Sequence, residues 1–380
     1  METLALPKLV CPDSPEPRPL VAVDLFSGAG GLSQGFINGG FLVPIAVESE
    51  RWATETYEKN HSTANIVNDD IRRVCIGELS AACIAAGKER PDVVMGGPHC
   101  QGFSRANRQT RSMENPLNSL FRDFLRIASE LQPRAIVFEN VVDLQRFDSG
   151  SIVAEIRTYL QERSPIKYVV NSAKLNASDY GVPQRRNRLF IVAVEQGLHF
   201  KFPTRHRRPP VTLWQAISDL PRLKIGNRRA EMLYRSYLPQ NEYQALMRQG
   251  CGRTVRNNSV SKNGALVVKR YKFIRPGGNW RDIPDDLMLN YSDKSRTHNW
   301  IYLRLREGFP SVTIMHFRKS MLIHPRQHRG LSVREAARIQ SFPDSYIFHG
   351  PLMYQQQQVA NAVPPLLAQA VAGALRNTLG

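Results

Sequence analysis

Residues 20–32 read LVAVDLFSGAGGL. The first six positions are apolar except for one aspartate, a pattern that predicts a buried strand. The glycines that follow permit a sharp turn, and apolar spacing from Leu32 onward predicts a helix. A strand that turns through glycines into a helix offers free backbone N–H groups to a ligand. The turn alone is a weak signal, because similar turns also serve as plain connections.

The alternation of strand and helix continues to about residue 202. Apolar runs predict buried strands at Leu20–Phe26, Leu42–Val47, Asp92–Met95, Ala135–Phe138 and Leu189–Val194. Amphipathic runs predict helices at Leu32–Asn38, Trp52–Asn60, Ile76–Gly87, Asn118–Leu131 and Ser151–Ser164. This order predicts an α/β fold with a doubly wound, mostly parallel, Rossmann-like sheet.

The rest of the chain is organised differently. Residues 203–327 are polar, basic and rich in turns, so we predict a second, smaller, irregular domain there. Helical periodicity returns at Ser332–Gln340 and Gln355–Leu379. We therefore predict an N-terminal extension (1–19), a first domain (20–202), a second domain (203–327) and a C-terminal segment (328–380) that packs back on the first.

The charge of the chain is concentrated in one region. The net charge is +18, and residues 201–330 hold 26 Lys and Arg against 8 Asp and Glu, whereas the remainder holds 25 of each. A basic segment joined to a neutral one is typical of nucleic-acid binding. The alternative is a solvated basic face that only keeps the protein soluble.

Composition excludes several classes of protein. No apolar run approaches the ~18 residues of a membrane helix, and the proline-rich amino end lacks a secretory core. The five cysteines are scattered without C-x-x-C pairs, which disfavours a disulfide scaffold and a zinc site. We therefore expect a protein of the reduced cytoplasm, without a metal and without a membrane partner.

Acidic side chains follow the predicted strands at positions that suit a nucleoside. Glu48 ends the second strand about twenty residues after the glycine turn, where a carboxylate accepts ribose hydroxyls. Asp70 is placed to accept from an adenine amine, and Phe26 to cover the adenine face. A nucleoside cofactor is the favoured interpretation, and a dinucleotide-dependent dehydrogenase is the competing one.

Reactive side chains follow two more strands at the same predicted edge of the sheet. The strand at Asp92–Met95 leads into GGPHCQGFS (96–104), and the strand at Ala135–Phe138 leads into Glu139 and Asn140. QRRNR (184–188) precedes the last strand. The plainer interpretations are a buried cysteine, a helix-terminal acid and a solvated or phosphate-binding edge.

Taken in order, these motifs resemble those of the DNA (cytosine-5)-methyltransferases of bacterial type. The resemblance continues with RGLSVREAARIQSFP (329–343) and NAVPP (361–365), so it extends from residue 24 to residue 365. It implies transfer of a methyl group from S-adenosyl-L-methionine to carbon 5 of a flipped-out cytosine in double-stranded DNA, leaving S-adenosyl-L-homocysteine.

The resemblance also implies roles for individual residues. Cys100 would attack carbon 6 of the cytosine, Glu139 would contact ring nitrogen 3 and the amine, and Arg188 would hold the carbonyl. Arg186 would support the loop or a phosphate, and Pro98 and Asn140 would shape the pocket. The expected cofactor residues are Phe26, Ser27, Gly28, Ala29, Gly30, Gly31, Leu32, Glu48, Asp70, Ile71, Asn361, Ala362 and Val363.

Residues that would contact DNA are less defined. Phosphate contacts position a protein, and a few side chains in the major groove read the sequence. The candidates are Gln101, Ser104, Arg253, Arg256, Asn257, Asn258 and Lys262. Two positions depart from the family pattern: His99 stands where a second proline is usual, and Ala360 stands where a glycine is usual. We interpret His99 as a tolerated variant on the outer side of the loop, and the alternative is that it helps to form the Cys100 thiolate. Ala360 would affect only the geometry of the last turn.

The resemblance implies a bacterial, nucleoid-associated enzyme of a restriction-modification or related phage-defence system. Its partners would then be a cognate restriction endonuclease or other defence proteins encoded nearby. A tRNA-methylating enzyme with the same pocket is an alternative. A DNA-binding regulator that has lost catalysis is another.

Overall fold

The computed structural model describes residues 19–98, 119–291, 299–315, 317 and 322–380. The central sheet contains the strands β1 (Leu20–Leu25), β2 (Phe41–Val47), β3 (Asn65–Val67), β4 (Val93–Gly96), β5 (Ala135–Val141), β6 (Tyr168–Asn176) and β7 (Asn187–Glu195). The helices of this region are α1 (Gly31–Asn38), α2 (Arg51–Asn60), α3 (Ile76–Ala85), α4 (Leu120–Leu131) and α5 (Ser151–Thr158). Among the described residues, no helix is long and apolar enough to cross a membrane.

The sheet has the strand order β3-β2-β1-β4-β5-β7-β6. β1 to β5 are parallel, whereas β7 is antiparallel to both β5 and β6. This arrangement confirms the predicted α/β class with a mostly parallel sheet. Because the parallel strands run in one direction, the residues that follow β1, β2, β4 and β5 all lie at one edge of the sheet.

Both faces of the sheet are covered, which explains why its strands are apolar runs. Alternate residues of β1 enter different cores: Val21 and Val23 pack with α3 and α4, and Ala22 packs with α1 and the last helix. A Cβ on Gly35 would lie 2.3 Å from Cβ of Ala368, so a glycine at that position lets these two helices touch. The carboxyl-terminal residues thereby complete the core beneath β1.

The more basic part of the chain holds short elements. These are α6 (Leu213–Ile217), β8 (Glu231–Leu233), α7 (Glu242–Met247), β9 (Thr254–Arg256), α8 (Ala265–Phe273), β10 (Leu303–Arg304) and β11 (Leu322–Ile323). They are followed by α9 (Val333–Ile339), α10 (Leu352–Asn361) and α11 (Pro365–Leu379). Residues of α6, α7 and β9 share one core with α9 and α10, whereas α8 packs in a separate core with Ile274, Ile283, Met288, Tyr302 and Ile323. The predicted domain boundaries stay a prediction.

The structure differs from the predicted elements most clearly at two strands and two helices. β3 and β6 were not predicted, because β3 has three residues and β6 alternates buried with exposed positions at the sheet edge. The helix predicted to Ser164 ends at Thr158 and continues as a π-helical turn, Tyr159–Arg163. The helix predicted at Gln355–Leu379 is two helices, because Pro364 follows the end of α10 and Pro365 begins α11.

Candidate active site

The glycine-rich turn after β1 is held by the end of β2. The N–H of Ser27 donates to the carbonyl of Val47 (3.0 Å), and the N–H of Gly28 donates to Oε2 of Glu48 (2.8 Å). The turn requires the left-handed backbone region at Phe26, Gly28 and Gly30, whose φ angles are 59°, 56° and 82°. The predicted glycine-rich turn and the predicted acid, Glu48, are thus joined by a hydrogen bond.

Glu48 is buried and has a fixed orientation. Its Oε1 accepts from the N–H of Glu50 (2.8 Å), and its own N–H donates to the carbonyl of Val67 (3.1 Å). The amide of Asn68 donates to the carbonyl of Glu48 (2.9 Å). The carboxylate is therefore held beside the turn before any ligand arrives, which is the preorganisation that a binding group needs.

Asp70 and Ile71 differ from each other in environment. Arg72 donates to Asp70 from its backbone N–H (3.0 Å) and from Nε (2.9 Å), and the hydrogen bond from the Arg72 side chain lowers the pKa of Asp70 to about 2. Asp70 is therefore an ionised acceptor that Arg72 already occupies. Ile71 is buried and its side chain belongs to the core. Any ligand contact of Ile71 must involve its edge or its backbone.

The turn that ends α10 lies against the glycine-rich turn. A Cβ on Gly31 would lie 2.3 Å from the carbonyl oxygen of Val363 and 3.3 Å from Cβ of Ala362. Only glycine fits so close an approach. Two motifs that are more than 300 residues apart in sequence are thus in contact. Leu32 and Val363, one from each motif, also belong to the same hydrophobic core.

An acid and an arginine meet on β5 and β7. Nε of Arg188 lies 2.9 Å from Oε1 of Glu139, and the two side chains are largely buried, 14% and 10% exposed. The antiparallel register places Val141 opposite Arg188 and Glu139 opposite Phe190. Burial lowers the pKa of Arg188, and Glu139 opposes that change by its charge and hydrogen bond.

Arg186 is fully buried one residue before β7 and makes a different set of contacts. Its Nη1 donates to the carbonyl of Ile314 (3.4 Å), and its Nη2 donates to the carbonyl of Asn361 (3.3 Å). Burial, and then the charge of Arg188, lower its pKa well below the usual range. Its Nε has no hydrogen-bond partner within the described residues. Arg186 therefore ties two distant segments together beside the acid.

The end of β4 adjoins the same acid. A Cβ on Gly97 would lie 2.9 Å from Oε2 of Glu139, and the amide of Asn140 donates to the carbonyl of Pro98 (3.2 Å). Pro98 is thus fixed to the end of β5. Cys100, with His99, Gln101 and Ser104, lies outside the described residues.

The DNA-contact candidates in the basic region fall into two groups. Arg253, Arg256 and Lys262 are exposed, with Arg253 stacked on the ring of Tyr237 at 4.7 Å. Asn257 and Asn258 are buried. The amide of Asn257 donates to the carbonyl of Phe348 (2.8 Å), and that of Asn258 donates to the carbonyl of Val255 (2.6 Å). The two asparagines hold backbone segments in place and do not extend into solvent.

Sequence reasoning missed a buried polar chain beneath the glycine-rich turn. Oγ of Ser33 donates to Oδ2 of Asp24 (2.6 Å) and lies 2.8 Å from Oη of Tyr57. Nε2 of His61 lies 3.0 Å from Oη of Tyr346, which donates to the carbonyl of Ala29. Of these residues, only Asp24 could have been noticed in the sequence, because it is an acid inside an apolar strand.

Burial dominates the titration of this polar chain. It raises the pKa of Asp24 to about 7, although a hydrogen bond from Ser33 partly opposes it, and it lowers the pKa of His61 to about 4. Oδ1 of Asp24 and Oγ of Ser27 are buried without a partner within the described residues. In the same part of the chain, no cluster of three or more His, Cys, Asp or Glu is arranged to hold a metal ion.

The chain was compared with known proteins and structures. It is 34% identical over 357 residues to the type II methyltransferase M1.HphI of Haemophilus parahaemolyticus, covering 94% of this chain and 86% of that protein. It is also 34% identical over 373 residues to the type II methyltransferase M.DdeI of Desulfomicrobium norvegicum, covering 92% and 87%. A crystal structure of a DNA modification methyltransferase encoded within an E. coli prophage superposes with a TM-score of 0.76 at 26% identity, covering 95% of this chain and 99% of that one.

These similarities agree with the resemblance drawn from the motifs, and they extend over the first domain, the basic region and the carboxyl-terminal helices. The model of the family described as C-5 cytosine-specific DNA methylase matches residues 20–377. The chain therefore belongs to the C-5 cytosine-specific DNA methylase family and is a DNA (cytosine-5)-methyltransferase.

Proposed function

We propose that this chain transfers a methyl group from S-adenosyl-L-methionine to carbon 5 of a cytosine that is flipped out of double-stranded DNA. Cys100 forms a transient covalent bond to carbon 6 of that cytosine. The observation that carries the proposal is the buried Glu139–Arg188 pair, which lies beside the loop that begins at Pro98. It provides a carboxyl and a guanidinium side by side in a site where water is largely excluded.

The glycine-rich turn and its neighbours fit the proposed cofactor. A Cβ on Gly28 would meet no atom of the described residues within 4 Å, so within that part of the chain this side of the turn is open. The unpartnered Oγ of Ser27 and the fixed carboxylate of Glu48 adjoin that opening. Ser27 and the turn amides would hold the methionine end, Glu48 the ribose hydroxyls, and Phe26 the adenine face. When bound, S-adenosyl-L-methionine supplies an electrophilic methyl group on a positively charged sulfur.

The remaining cofactor positions act around this opening. Asp70 would accept from the adenine amine while keeping its ion pair with Arg72, and Ile71 would contact the adenine edge. Ala29, Gly30, Gly31 and Leu32 would contribute backbone and close packing. Asn361, Ala362 and Val363 would close the site from the carboxyl-terminal side, where Val363 meets Gly31.

The chemistry requires a nucleophile because carbon 5 of cytosine is itself unreactive. As the Cys100 thiolate bonds to carbon 6, the ring loses its aromaticity and carbon 5 becomes nucleophilic. Carbon 5 then takes the methyl group, which leaves S-adenosyl-L-homocysteine. Transfer of the carbon 5 proton to water, with departure of the Cys100 thiolate from carbon 6, restores the aromatic ring, and the proton shared at nitrogen 3 returns to Glu139.

Glu139 and Arg188 act on the flipped base during the attack. Charge develops on ring nitrogen 3 as sulfur adds, and the Glu139 carboxyl stabilises it by sharing a proton with that nitrogen and by accepting from the amine. Arg188 donates to the carbonyl oxygen while it remains close to Glu139. Asn140 fixes the carbonyl of Pro98, and Arg186 fixes the segments around Ile314 and Asn361.

The basic region would bind the DNA. Removing a base from the stack costs a few kcal/mol, which contacts to the phosphates and grooves must offset. The exposed Arg253, Arg256 and Lys262 suit phosphate contacts, and Gln101 and Ser104 would approach the DNA next to the flipped base. Asn257 and Asn258 would act indirectly, by holding the loop that carries Arg256.

The biological setting follows from the relatives. Two of them bear type II names. We assign this chain to the same kind of restriction-modification or phage-defence system, with a cognate endonuclease as its partner.

A comparison of methyl acceptors tests the substrate. Duplex DNA that lacks 5-methylcytosine, the same DNA as single strands, and unmodified tRNA are each incubated with the protein and S-adenosyl-L-methionine labelled on the methyl group. We expect label on duplex DNA only. Label on tRNA with none on DNA would replace the proposed substrate. Tight, sequence-specific DNA binding with no label on any acceptor would favour a regulator that has lost catalysis.

A further inference from the structure

One tyrosine far along the chain reaches the turn after β1. Tyr346 is buried, and its hydroxyl donates to the carbonyl of Ala29 and lies 3.0 Å from Nε2 of His61. A carbonyl only accepts, so the single proton of Tyr346 is used on Ala29. His61 must then supply its own Nε2–H to the tyrosine oxygen, which the neutral ring does.

The two side chains fill the space beneath the turn. A Cβ on Gly30 would lie 2.5 Å from Nε2 of His61 and 2.6 Å from Oη of Tyr346. Gly30 also has a φ of 82°. The turn is therefore seated directly on Tyr346 and His61, and its shape depends on where they are.

Tyr346 lies on a segment that is held from both sides. The amide of Asn60, at the end of α2, accepts from the N–H of Ile347 and donates to its carbonyl, both at 2.8 Å. The amide of Asn257 brackets Phe348 in the same way, at 3.0 and 2.8 Å. These paired bonds fix the backbone on either side of the tyrosine.

A buried arginine completes the support. Nη2 of Arg334, on α9, donates to the carbonyl of Tyr346 (2.5 Å), and its Nε donates to the carbonyl of Arg256 (3.0 Å). Tyr346 is thus attached to α9 and to the end of β9, and it transmits that fixed position to the turn.

We propose that Tyr346 is a positioning residue for the cofactor: its hydroxyl, together with His61, fixes the glycine-rich turn in the shape that binds S-adenosyl-L-methionine. The identity of the ligand rests on the proposed function, whereas the contacts of Tyr346 and His61 with the turn do not depend on it. Tyr346 does not touch the ligand. It acts through the carbonyl of Ala29, which sets the orientation of the peptide group between Ala29 and Gly30.

A purely structural role for Tyr346 would lie in its ring. The ring packs against Phe342 and Phe348, with centroids 4.8 and 5.5 Å away. The substitution Tyr346→Phe keeps those contacts and removes only the hydroxyl. Tyr243→Phe is the matched control, because it removes another buried hydroxyl, one that donates to the carbonyl of Arg338, away from the turn.

Two measurements on the full-length protein test the proposal. The first is amide hydrogen exchange of the peptide that covers residues 26–34 in the absence of ligand. The second is the affinity for S-adenosyl-L-homocysteine by titration calorimetry. For Tyr346→Phe we expect at least tenfold faster exchange in that peptide and about tenfold weaker binding, a loss of ~1.4 kcal/mol. For Tyr243→Phe we expect both to stay within twofold of wild type.

Exchange and affinity of Tyr346→Phe that both stay within twofold of wild type would overturn the proposal. Equal losses in the two variants would also overturn it, because they would reflect general loosening. If Tyr346→Phe does not fold, His61→Phe tests the same contact from the other side, with the same expectations. If the wild type does not bind S-adenosyl-L-homocysteine, the proposed function fails, and hydrogen exchange still decides whether Tyr346 positions the turn.

Discussion

Glu139 and Arg188 form an ion pair across two antiparallel strands, with Oε1 and Nε 2.9 Å apart and both side chains largely buried. Taking two charges out of water is unfavourable unless they compensate each other. This pair lies at the edge of the sheet that also carries the glycine-rich turn. It differs from an ordinary surface ion pair because it is shielded from water. Its members should depend on each other in catalysis as well as in stability.

A double-mutant cycle on this pair should show strong coupling. We expect Glu139→Gln and Arg188→Ala each to lower kcat by about 10²–10³-fold, because each removes a group that stabilises charge on the flipped base. The double variant should lose much less than the product of the two, because the first loss already disables the pair. The measurement is single-turnover methyl transfer to duplex DNA.

The control for this cycle is an exposed ion pair in the same domain. Nε of Arg122 lies 2.6 Å from Oε1 of Glu155 on the surface. Exposed ion pairs contribute only ~0–1 kcal/mol to the free energy of unfolding. Arg122→Ala should leave kcat within about twofold of wild type. Multiplicative losses for Glu139 and Arg188 would contradict the account, because they would mean that the two side chains act independently.

Two glycines of the turn should respond differently to alanine. Gly28→Ala adds a methyl group to open space, so we expect a modest loss of stability, about 1 kcal/mol from the backbone conformation, and a large loss of cofactor affinity. Gly30→Ala forces a methyl group against His61 and Tyr346, so stability should fall by at least ~2 kcal/mol as well. Urea unfolding and calorimetric titration measure the two effects. Cofactor binding by Gly28→Ala that equals wild type would place the cofactor elsewhere.

Asp24 should make the stability of the protein depend on pH. Burial raises its pKa to about 7 in the folded chain, whereas an unfolded aspartate titrates near 4. Between those values the folded state holds the extra proton, so Asp24 lowers stability progressively as the pH rises from about 4 to about 7. Asp24→Asn keeps an acceptor for Ser33 and removes the titration.

The titration of Asp24 therefore determines which protein, wild type or Asp24→Asn, has the higher free energy of unfolding as the pH rises. Relative to wild type, the variant should gain a few kcal/mol in its free energy of unfolding between pH 5 and pH 8, at ~1.4 kcal/mol per unit of pKa shift. Urea titrations at both pH values measure this. If the difference in free energy of unfolding between the two proteins stays constant with pH, Asp24 has an ordinary pKa in the folded state.

Neighbouring residues of the second domain should affect different properties. Arg253 is exposed, so Arg253→Ala should weaken binding to all DNA sequences alike and reduce the salt slope of binding by about 1. Asn257 is buried with a φ of 63° and bonds Phe348 and Arg334, so Asn257→Ala should lower stability by a few kcal/mol. Filter binding at several salt concentrations, together with urea unfolding, separates the two. A stability loss for Arg253→Ala without a change in salt slope would remove it from the DNA surface.

The sequence predicted the central sheet well and its margins poorly. β1, β2, β4 and β5 are largely buried in the middle of the sheet, so each is a mainly apolar run that the pattern detects. β6 is an edge strand in which polar Ser172 and Lys174 are exposed as well as Val169, so its sequence has no continuous apolar run. The break between α10 and α11 was visible as Pro364 and Pro365, although apolar spacing on both sides suggested one continuous helix.

The candidate site was predictable where chemistry and local spacing coincide. Glu48 and the glycine-rich turn were recognised because a strand end and a helix start define their positions, and the structure joins them by a hydrogen bond. The contacts of Tyr346 with Ala29 and His61 were not predictable, because they join residues more than 280 positions apart. Asn257 and Asn258 suggested DNA contacts by residue type, and only their burial shows that they hold backbone instead.

The most direct test of the central claim is to express the protein in a bacterial host that lacks DNA cytosine methylation and to map 5-methylcytosine across its genome at single-base resolution. The wild type, Cys100→Ala and Arg122→Ala are compared at equal protein levels. We predict methylation at one cytosine of one short recurring sequence for the wild type and Arg122→Ala, and none for Cys100→Ala. Methylation that persists in Cys100→Ala, or its absence with the wild type, would contradict the account.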